Sequence, residues 1–196
     1  MKHIALLLSV TFSSVMYAQE TPAVVGKALA AVGGSEKLLA AFRMTELYNS
    51  GELPEPEGSP KRTPRTSVII MPGRWEVGGR ERGKEPAKDV VRAWALDLLV
   101  DPDSVIEPIA ELTDENIRCT GLQISGSVTP AMKLYFDQQT HLLKRVDWRD
   151  DFYRFSDWRE LDGLKYAART SLFKLRDGKP WFHHEITGLE RMQPEE

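Results

Sequence analysis

Apolar and polar residues alternate along the chain from residue 117 to its C-terminus. Such alternation is expected for strands that bury one face and expose the other. The clearest apolar row consists of Met132, Leu134 and Phe136. Asp162-Gly163 and Asp177-Gly178 interrupt the pattern, and Asp-Gly pairs are typical of hairpin turns. The C-terminal part is therefore predicted to be an antiparallel meander with one apolar face.

The N-terminal half shows helical spacing in three places. Residues 23–31 and 35–42 predict two short helices or one kinked helix, because Gly33-Gly34 separates them and Ser35 is a good N-cap. A further helix is predicted from Pro86 to near Val100, since a proline suits the first turn of a helix. Its apolar stripe consists of Ala87, Val91, Trp94, Ala95 and Leu98.

Prolines dominate the segment that follows a predicted polar strand near residues 43–48. Residues 52–65 contain four prolines, a density that cannot maintain a hydrogen-bonded ladder, so a mobile loop is predicted there. Residues 66–71 and 74–77 flank Pro72-Gly73, and this pair is what a type II turn requires. These two stretches are predicted to form a hairpin.

Residues 1–18 have the pattern of a secretory signal peptide, with a basic start, a short apolar run and small residues before Ala18. The apolar run is too short to span a bilayer, although a retained N-terminal anchor is the alternative. Residues 19–196 have the length and composition of a single domain, with 41% hydrophobic and 28% charged residues over the full chain. We expect an exported, periplasmic protein that does not span the membrane after cleavage.

Charge and cysteine content narrow the classes of function. The net charge is −3, which argues against nucleic acid as a partner of an exported protein. Residues 61–84 hold seven Lys or Arg, whereas residues 97–116 hold seven acids and no base. Both segments are interpreted as polar surface with opposite electrostatic fields that complement each other. The alternative is that the basic segment forms a patch for an anionic partner. Cys119 is the single cysteine, and we expect a buried apolar role for it in a strand.

Two stretches resemble catalytic or metal motifs only superficially. Residues 78–85 have the spacing of a phosphate-binding loop, but Glu85 stands where a magnesium-binding hydroxyl is needed. His183 and His184 are neighbours in a predicted strand and must point to opposite faces, so they cannot bind one metal ion together. One histidine is expected to be half-buried beside Phe182 and Ile186, and the other solvated. We therefore expect no enzymatic activity, no metal and no cofactor.

His141 lies between two predicted strands and is interpreted as a turn residue. Asp137 starts the connection, and a hairpin of this length is commonly a type I turn followed by a residue with positive φ. Histidine adopts that conformation more readily than most residues other than glycine. The position therefore favours a role in the turn over a role in chemistry.

One stretch is "ALAAVGGSEKLLAAFRMTELYNSGEL", and the other is "LYFDQQTHLLKRVDW" followed by "YRFSDWRELDGLKYAARTSLFKLRDGKPWFHHEITGLERM". Together they resemble the LolA-like superfamily of periplasmic lipoprotein-sorting carriers. The resemblance covers residues 28–51 and 132–192, and it departs from the superfamily at His141, where glycine is usual, and at Ala167, where proline is frequent. It implies an α+β fold with a curved antiparallel sheet, an incomplete β-barrel, and two or three helices covering the concave face. Residues 23–42 and 87–99 would supply these helices.

The resemblance implies a soluble periplasmic carrier or binding protein for an acyl chain, a lipoprotein or another apolar ligand. A non-enzymatic cell-envelope interaction module with a self-filled core is the alternative, with an envelope protein as its partner. The apolar face is expected to bind the ligand through Val68, Ile70, Trp94, Leu134, Phe136, Val146, Tyr166 and Leu172. The commoner use of each of these side chains is a packed core.

Overall fold

The computed structural model describes residues 22–83 and 87–193. These residues form two α-helices and one sheet of eleven antiparallel strands. The helices are α1 (Ala23–Val32) and α2 (Ala87–Trp94). The strands are β1 (Ala41–Ser50), β2 (Thr63–Ile70), β3 (Arg74–Val77), β4 (Arg80–Glu81), β5 (Val105–Asp114), β6 (Ile117–Ser125), β7 (Met132–Asp137), β8 (Leu143–Trp148), β9 (Asp151–Leu161), β10 (Leu164–Lys174) and β11 (Pro180–Arg191). The expected meander is thus present from β5 to β11.

The sheet is built mostly from consecutive antiparallel strands, and one long-range pairing joins β1 to β11. Its strand order is β4-β3-β2-β1-β11-β10-β9-β8-β7-β6-β5, so the first and last long strands are neighbours. Within the described part of the chain β4 and β5 are the two edges, and the sheet does not close. Asp162 and Gly163 both have positive φ in the β9–β10 turn, as the Asp-Gly pair predicts.

Both helices pack on the same face of the sheet, which we call the helix-covered face. α1 buries Val25, Ala28 and Val32, and α2 buries Val90 and Ala93. These side chains belong to one apolar cluster together with residues of strands from both halves of the sheet. The helix-covered face therefore contains the core of the domain.

The second predicted helix is wrong. Residues 35–42 contain only a 3₁₀ turn at Ser35–Lys37, and β1 already begins at Ala41. The reason lies at Gly33, which ends α1 with φ of 115°. A Cβ atom on Gly33 would lie 2.1 Å from the carbonyl oxygen of Gly163, so the double glycine must approach the β9–β10 turn closely. Too few residues then remain for another helix before the sheet begins.

The predicted helix at 86–100 is shorter than expected. α2 ends at Trp94, Leu96 has φ of 59°, and a separate 3₁₀ turn follows at Asp97–Leu99. Arg92 pairs with Asp97, and this contact turns the chain back toward the helix. Pro86 lies outside the described residues. The fold therefore has two α-helices and two 3₁₀ turns in the described part of the chain.

The predicted hairpin of β2 and β3 is present, but its turn is not of type II. Gly73 does not have positive φ, and the Met71–Pro72 peptide is cis. β2 also begins at Thr63, within the segment predicted to be a loop. Pro64 is tolerated because β3 pairs with β2 only from Ser67 onward, which leaves one side of β2 open at the proline.

His141 occupies the turn position that the sequence predicts. Its φ is 59°, and its backbone N–H donates to the carbonyl oxygen of Asp137 at 2.8 Å. The Asp137 Oδ1 atom in turn accepts the backbone N–H of Gln139 at 2.7 Å. Both bonds define a compact β7–β8 turn in which positive φ is required at His141.

Replacing His141 with glycine should leave ligand binding unchanged and stabilise the protein slightly. Glycine relieves the strain of positive φ but gains entropy in the unfolded chain, so we expect a net gain of about 0.5 kcal/mol or less. Urea unfolding measures this change. The control is Thr140→Gly in the same turn, which should destabilise because Thr140 does not have positive φ. A clear loss of stability in His141→Gly would contradict the assignment of His141 to a turn position with positive φ.

The predicted signal peptide, residues 1–18, lies outside the described residues. Within the described ranges, neither helix has the length and apolar content needed to cross a bilayer.

Candidate functional site

A cavity of about 120 Å³ lies between α2 and the sheet on the helix-covered face. Strands β1, β2, β3, β9, β10 and β11 form its floor, and α2 forms its roof. Most lining side chains are apolar, among them Met44, Trp75, Val90, Trp94, Phe155 and Leu172. An apolar cavity beneath a short helix is suited to an apolar ligand rather than to chemistry on a polar substrate.

Trp94 is the main contact between the roof and the floor. Its Nε1–H donates to the carbonyl oxygen of Ala167 at 2.9 Å, which fixes the indole across β10. The ring centroid lies 5.8 Å from that of Phe42 and 6.3 Å from that of Tyr166. Aromatic contacts at such distances add to the energy of apolar burial. Trp94 therefore holds the end of α2 against the sheet.

Arg92 secures the same end of α2 on its other side. Its Nε atom donates to Asp97 Oδ2 at 2.7 Å, and its Nη1 atom donates to the carbonyl oxygen of Ser127 at 3.0 Å. Its Nη2 atom also pairs with Asp101. Arg92 is only 6% exposed, so these partners must stabilise its buried charge in place of water.

A polar cluster of Glu46, Arg65 and His184 forms one side of the cavity. Glu46 is completely buried, and its Oε2 atom accepts from Arg65 Nε at 3.0 Å and lies 2.6 Å from His184 Nε2. Burial by itself raises the pKa of the Glu46 carboxyl, but the hydrogen bond of His184 and the charge of Arg65 outweigh this effect. The pKa of Glu46 is therefore held below its ordinary value, and the carboxyl is ionised at neutral pH.

The structure brings three of the expected site residues to this region. Trp94 and Leu172 line the cavity, and Tyr166 packs against Trp94. Leu134, Phe136 and Val146 lie instead in β7 and β8, where each is fully buried in the core. Contact of any of these side chains with a ligand stays a prediction.

Val68 and Ile70 lie on the face opposite to the expected one. In β2 the helix-covered face carries Arg65, Ser67 and Ile69, of which Ser67 and Ile69 are buried. Since neighbouring strand residues alternate between faces, Val68 and Ile70 point away from the cavity. Val68-Ile69-Ile70 is an unbroken apolar run, and its alternation could be assigned to either face.

The sequence pattern did not predict that Glu46, Arg65 and His184 belong to one site. The signal for Glu46 is present, since Phe42, Met44, Glu46 and Tyr48 follow one another at a spacing of two. This spacing places an acid in an apolar row of β1. His184 shares its face with Phe182 and Ile186, and it is the half-buried histidine that was expected there.

His183 is buried, which corrects the expectation that the second histidine is solvated. Its Nδ1 atom lies 3.0 Å from the hydroxyl of Ser171. The Pro-rich loop covers this face: Asn49 donates from Nδ2 to the carbonyl oxygen of Leu53 at 3.1 Å and accepts the N–H of Glu55 at 3.2 Å. Loop residues 54–58 thereby lie over β11.

A larger hollow of about 680 Å³ separates the Pro-rich loop from the sheet. Three of its charged groups are paired, since Arg62 Nη2 lies 2.6 Å from Glu185 Oε2 and Arg159 Nη2 lies 3.3 Å from Glu185 Oε1. Burial opposes the ionisation of Glu185, but these arginines and Arg169 hold its pKa below the ordinary value. Paired charges line this hollow, whereas the cavity beneath α2 is lined mostly by apolar side chains, so the apolar cavity is the better candidate site for an apolar ligand.

Metal and thiol chemistry find little support in the described residues. No group of three or more His, Cys, Asp or Glu side chains in residues 22–83 and 87–193 is arranged to hold a metal ion. Cys119 is completely buried in β6, as the sequence predicts, and burial raises its pKa to about 11. A thiol with such a pKa is not a nucleophile at neutral pH.

The fold is similar to those of several solved structures, one of them a LolA superfamily protein. A LolA superfamily protein from Nitrosomonas europaea superimposes with a TM-score of 0.56 at 10% identity, covering 87% of this chain and 94% of its own. A putative outer membrane lipoprotein-sorting protein domain from Vibrio parahaemolyticus gives 0.52 at 7% identity, covering 88% and 92%. A DUF1329 family protein from Desulfovibrio piger gives 0.52 at 11% identity, covering 89% and 94%.

These likenesses are structural, since no family model and no curated protein matches the sequence. They confirm the resemblance at the level of the fold. At such identities they carry no information about the ligand.

Proposed function

We propose that this protein is a periplasmic carrier or binding protein for an apolar chain, such as the acyl chain of a lipid or lipoprotein. The observation that carries the proposal is the apolar cavity between α2 and the sheet. The likeness in fold to a lipoprotein-sorting domain supports it. The signal-peptide pattern of residues 1–18 supports export to the periplasm.

The shape of the sheet supports a binding role on the helix-covered face. One apolar cluster contains Ile69 of β2 and Ile124 of β6, which are separated by many strands in the sheet order. Such a cluster forms when a sheet curves around the helices on its concave side. The same geometry supports the incomplete barrel that the sequence resemblance implies.

The size of the cavity implies that α2 moves when a long chain binds. An apolar cavity of roughly 150 Å³ is enough for a benzene-sized ligand, and the present one is smaller. A long acyl chain therefore requires α2 to move away from the sheet. Each methylene of the acyl chain that becomes buried would contribute about 0.8 kcal/mol to binding, and this would offset the contacts that α2 loses.

A second candidate function is an interaction module of the cell envelope with no small ligand. Leu134, Phe136 and Val146 favour it locally, because they are fully packed and leave no space between β7, β8 and the core. The two proposals differ in what the purified protein contains. Mass spectrometry of organic extracts should reveal a bound lipid under the carrier proposal. An empty protein that captures an envelope partner would favour the module instead.

Filling the cavity should weaken the binding of an apolar probe. We expect Leu172→Trp to weaken the binding of N-phenyl-1-naphthylamine, measured by its fluorescence, by about tenfold or more, equivalent to about 1.4 kcal/mol. Leu172 lines the cavity, so the indole occupies the space that the probe needs.

The matched control is Leu175→Trp, which makes the same replacement at an exposed leucine in the β10–β11 turn. It should bind the probe like the wild type. Equal binding by Leu172→Trp, with unfolding curves that show an intact fold, would place the probe elsewhere and remove the main support for the carrier proposal.

We also propose that the protein is not an enzyme and requires no cofactor. The polar cluster beside the cavity contains one carboxylate, which is already paired with Arg65 and His184. This arrangement suits recognition of a polar group better than acid–base chemistry.

A further inference from the structure

Buried polar atoms without partners are concentrated at one end of the helix-covered face. Among the described residues, four buried side-chain atoms have no hydrogen-bond partner. Three of them belong to β1, β2 and β3, namely Glu46 Oε1, Ser67 Oγ and Trp75 Nε1. Groups of this kind are destabilising unless something satisfies them, and folded proteins leave few of them unsatisfied.

Glu46 is the most demanding of these groups because it is charged. Both of its neighbours, Arg65 and His184, bond to Oε2, whereas Oε1 has no partner. An ionised carboxylate has four acceptor sites and no donor, so only a hydrogen-bond donor can satisfy Oε1. Glu46 lines the apolar cavity, so its unpartnered Oε1 atom lies beside the proposed site of the apolar chain.

We propose that the cavity binds an amphiphile whose apolar chain ends in a hydrogen-bond donor, and that this donor bonds to Glu46 Oε1. The donor is a hydroxyl, an amide N–H or an ammonium group. This inference rests on the proposed carrier function and specifies its ligand. Met44, Val90 and Trp94 surround the chain, while Glu46 receives the head.

The same geometry disfavours a free fatty acid. A ligand carboxylate next to Glu46 would place two like charges in a site sheltered from water. Arg65 already directs its Nε and Nη2 atoms to Glu46 Oε2, so much of its charge is offset by Glu46. Glu46 thus acts as a specificity residue that rejects anionic heads and accepts donors.

Four ligands with the same ten-carbon chain test the proposal on the full-length mature protein at neutral pH. They are decanol, decylammonium, decanoate and methyl decanoate, and their affinities are measured by titration calorimetry below their aggregation concentrations. Decanol donates a hydrogen bond without charge, decylammonium donates one with charge, and methyl decanoate has no donor. We expect both donors to bind about tenfold more tightly than methyl decanoate, and decanoate to bind least.

The variant Glu46→Gln removes the charge with little change in shape. It should weaken decylammonium by about tenfold and narrow the gap between decylammonium and decanoate. Glu160→Gln, at an exposed position of β9, is the matched control and should leave all four affinities unchanged. If Glu46→Gln does not fold, the comparison of decanol with methyl decanoate in the wild type still decides the question.

The outcomes separate this inference from the function on which it rests. If none of the four ligands binds the wild type, the carrier function is overturned and the head-group inference with it. If all four bind with similar affinity, or if Glu46→Gln leaves their order unchanged, a carrier remains and only the role of Glu46 is wrong. A preference for decylammonium over decanol identifies a cationic head, whereas equal binding of the two identifies a neutral donor.

Discussion

Arg92→Met should lower the free energy of unfolding by about 3 kcal/mol in urea denaturation. Arg92 is buried and bonds to Asp97, Asp101 and the carbonyl oxygen of Ser127. Methionine keeps the apolar stem but removes the charge, which leaves two partly buried carboxylates side by side without a cation. Such removal of one partner from a buried ion pair is among the most destabilising single changes.

The same variant should loosen α2, because Arg92 and Trp94 both fix the end of this helix. We expect faster amide hydrogen exchange in 87–94 than the global loss of stability alone produces. The control is Arg118→Met, whose ion pair with Glu111 is 72% and 54% exposed and should contribute less than about 1 kcal/mol. If the two variants lost equal stability, or if α2 exchanged no faster than β7, Arg92 would not be the anchor of the roof.

The meander was predictable because several of its strands, such as β6 and β8, bury one face more fully than the other. Alternation of polar and apolar residues records this difference directly, as in Met132, Leu134 and Phe136, which are all fully buried. The β9–β10 turn is marked by Asp162-Gly163, where both residues have the positive φ that few other pairs adopt. Such signals are local and need no knowledge of distant contacts.

The parts that failed depend on contacts between distant residues. Residues 35–42 have helical spacing, but the approach of Gly33 to Gly163 decides where the chain enters the sheet. The sequence could not show which face of the sheet Val68 and Ile70 occupy. In an unbroken apolar run no alternation marks the buried face, which becomes apparent only from the pairing of β2 with β1 and β3. Tertiary contacts override local propensity in both cases.

The polar cluster illustrates the same limit at the site. Arg65 and His184 lie 19 and 138 positions from Glu46 in the chain, so no local motif joins them. The register of β1 against β2 and β11 places Glu46 opposite Arg65 on one side and Ile186 on the other, with His184 opposite Tyr48. An acid within an apolar row was visible in the sequence, whereas its partners became apparent only from the strand order.

The acidic segment 97–116 also has partners that its position in the sequence does not suggest. Asp97 and Asp101 pair with Arg92 of α2, and Asp114 pairs with Arg145 of β8 and Arg154 of β9. None of these arginines belongs to the basic segment 61–84 that was expected to complement the acids. Asp114 therefore attaches the edge strand β5 to β8 and β9, and Asp97 and Asp101 hold α2.

Asp114→Asn should reduce the free energy of unfolding by about 3 kcal/mol at neutral pH, because it removes the buried carboxylate that bridges Arg145 and Arg154. Asp114 is 3% exposed, and its carboxylate oxygens accept from Arg154 at 2.7 and 2.8 Å and from Arg145 at 3.1 Å. Burial raises the pKa of Asp114, but the hydrogen bonds and charges of Arg154 and Arg145 outweigh burial and hold the pKa below its ordinary value of 3.8.

This lowered pKa gives the effect of the substitution a defined dependence on pH. The ion pairs stabilise the folded protein fully above the ordinary pKa of 3.8, and this stabilisation is lost as the pH falls through the lower pKa of the folded state. The difference in the free energy of unfolding between wild type and Asp114→Asn should therefore be largest at neutral pH and should shrink as the pH falls below 3.8, as measured by urea unfolding across this range. Asp103→Asn, at an exposed acid of the same segment, should show no comparable difference at any pH in this range. A difference that stayed constant with pH would mean that Asp114 stabilises β5 through shape rather than through its charge.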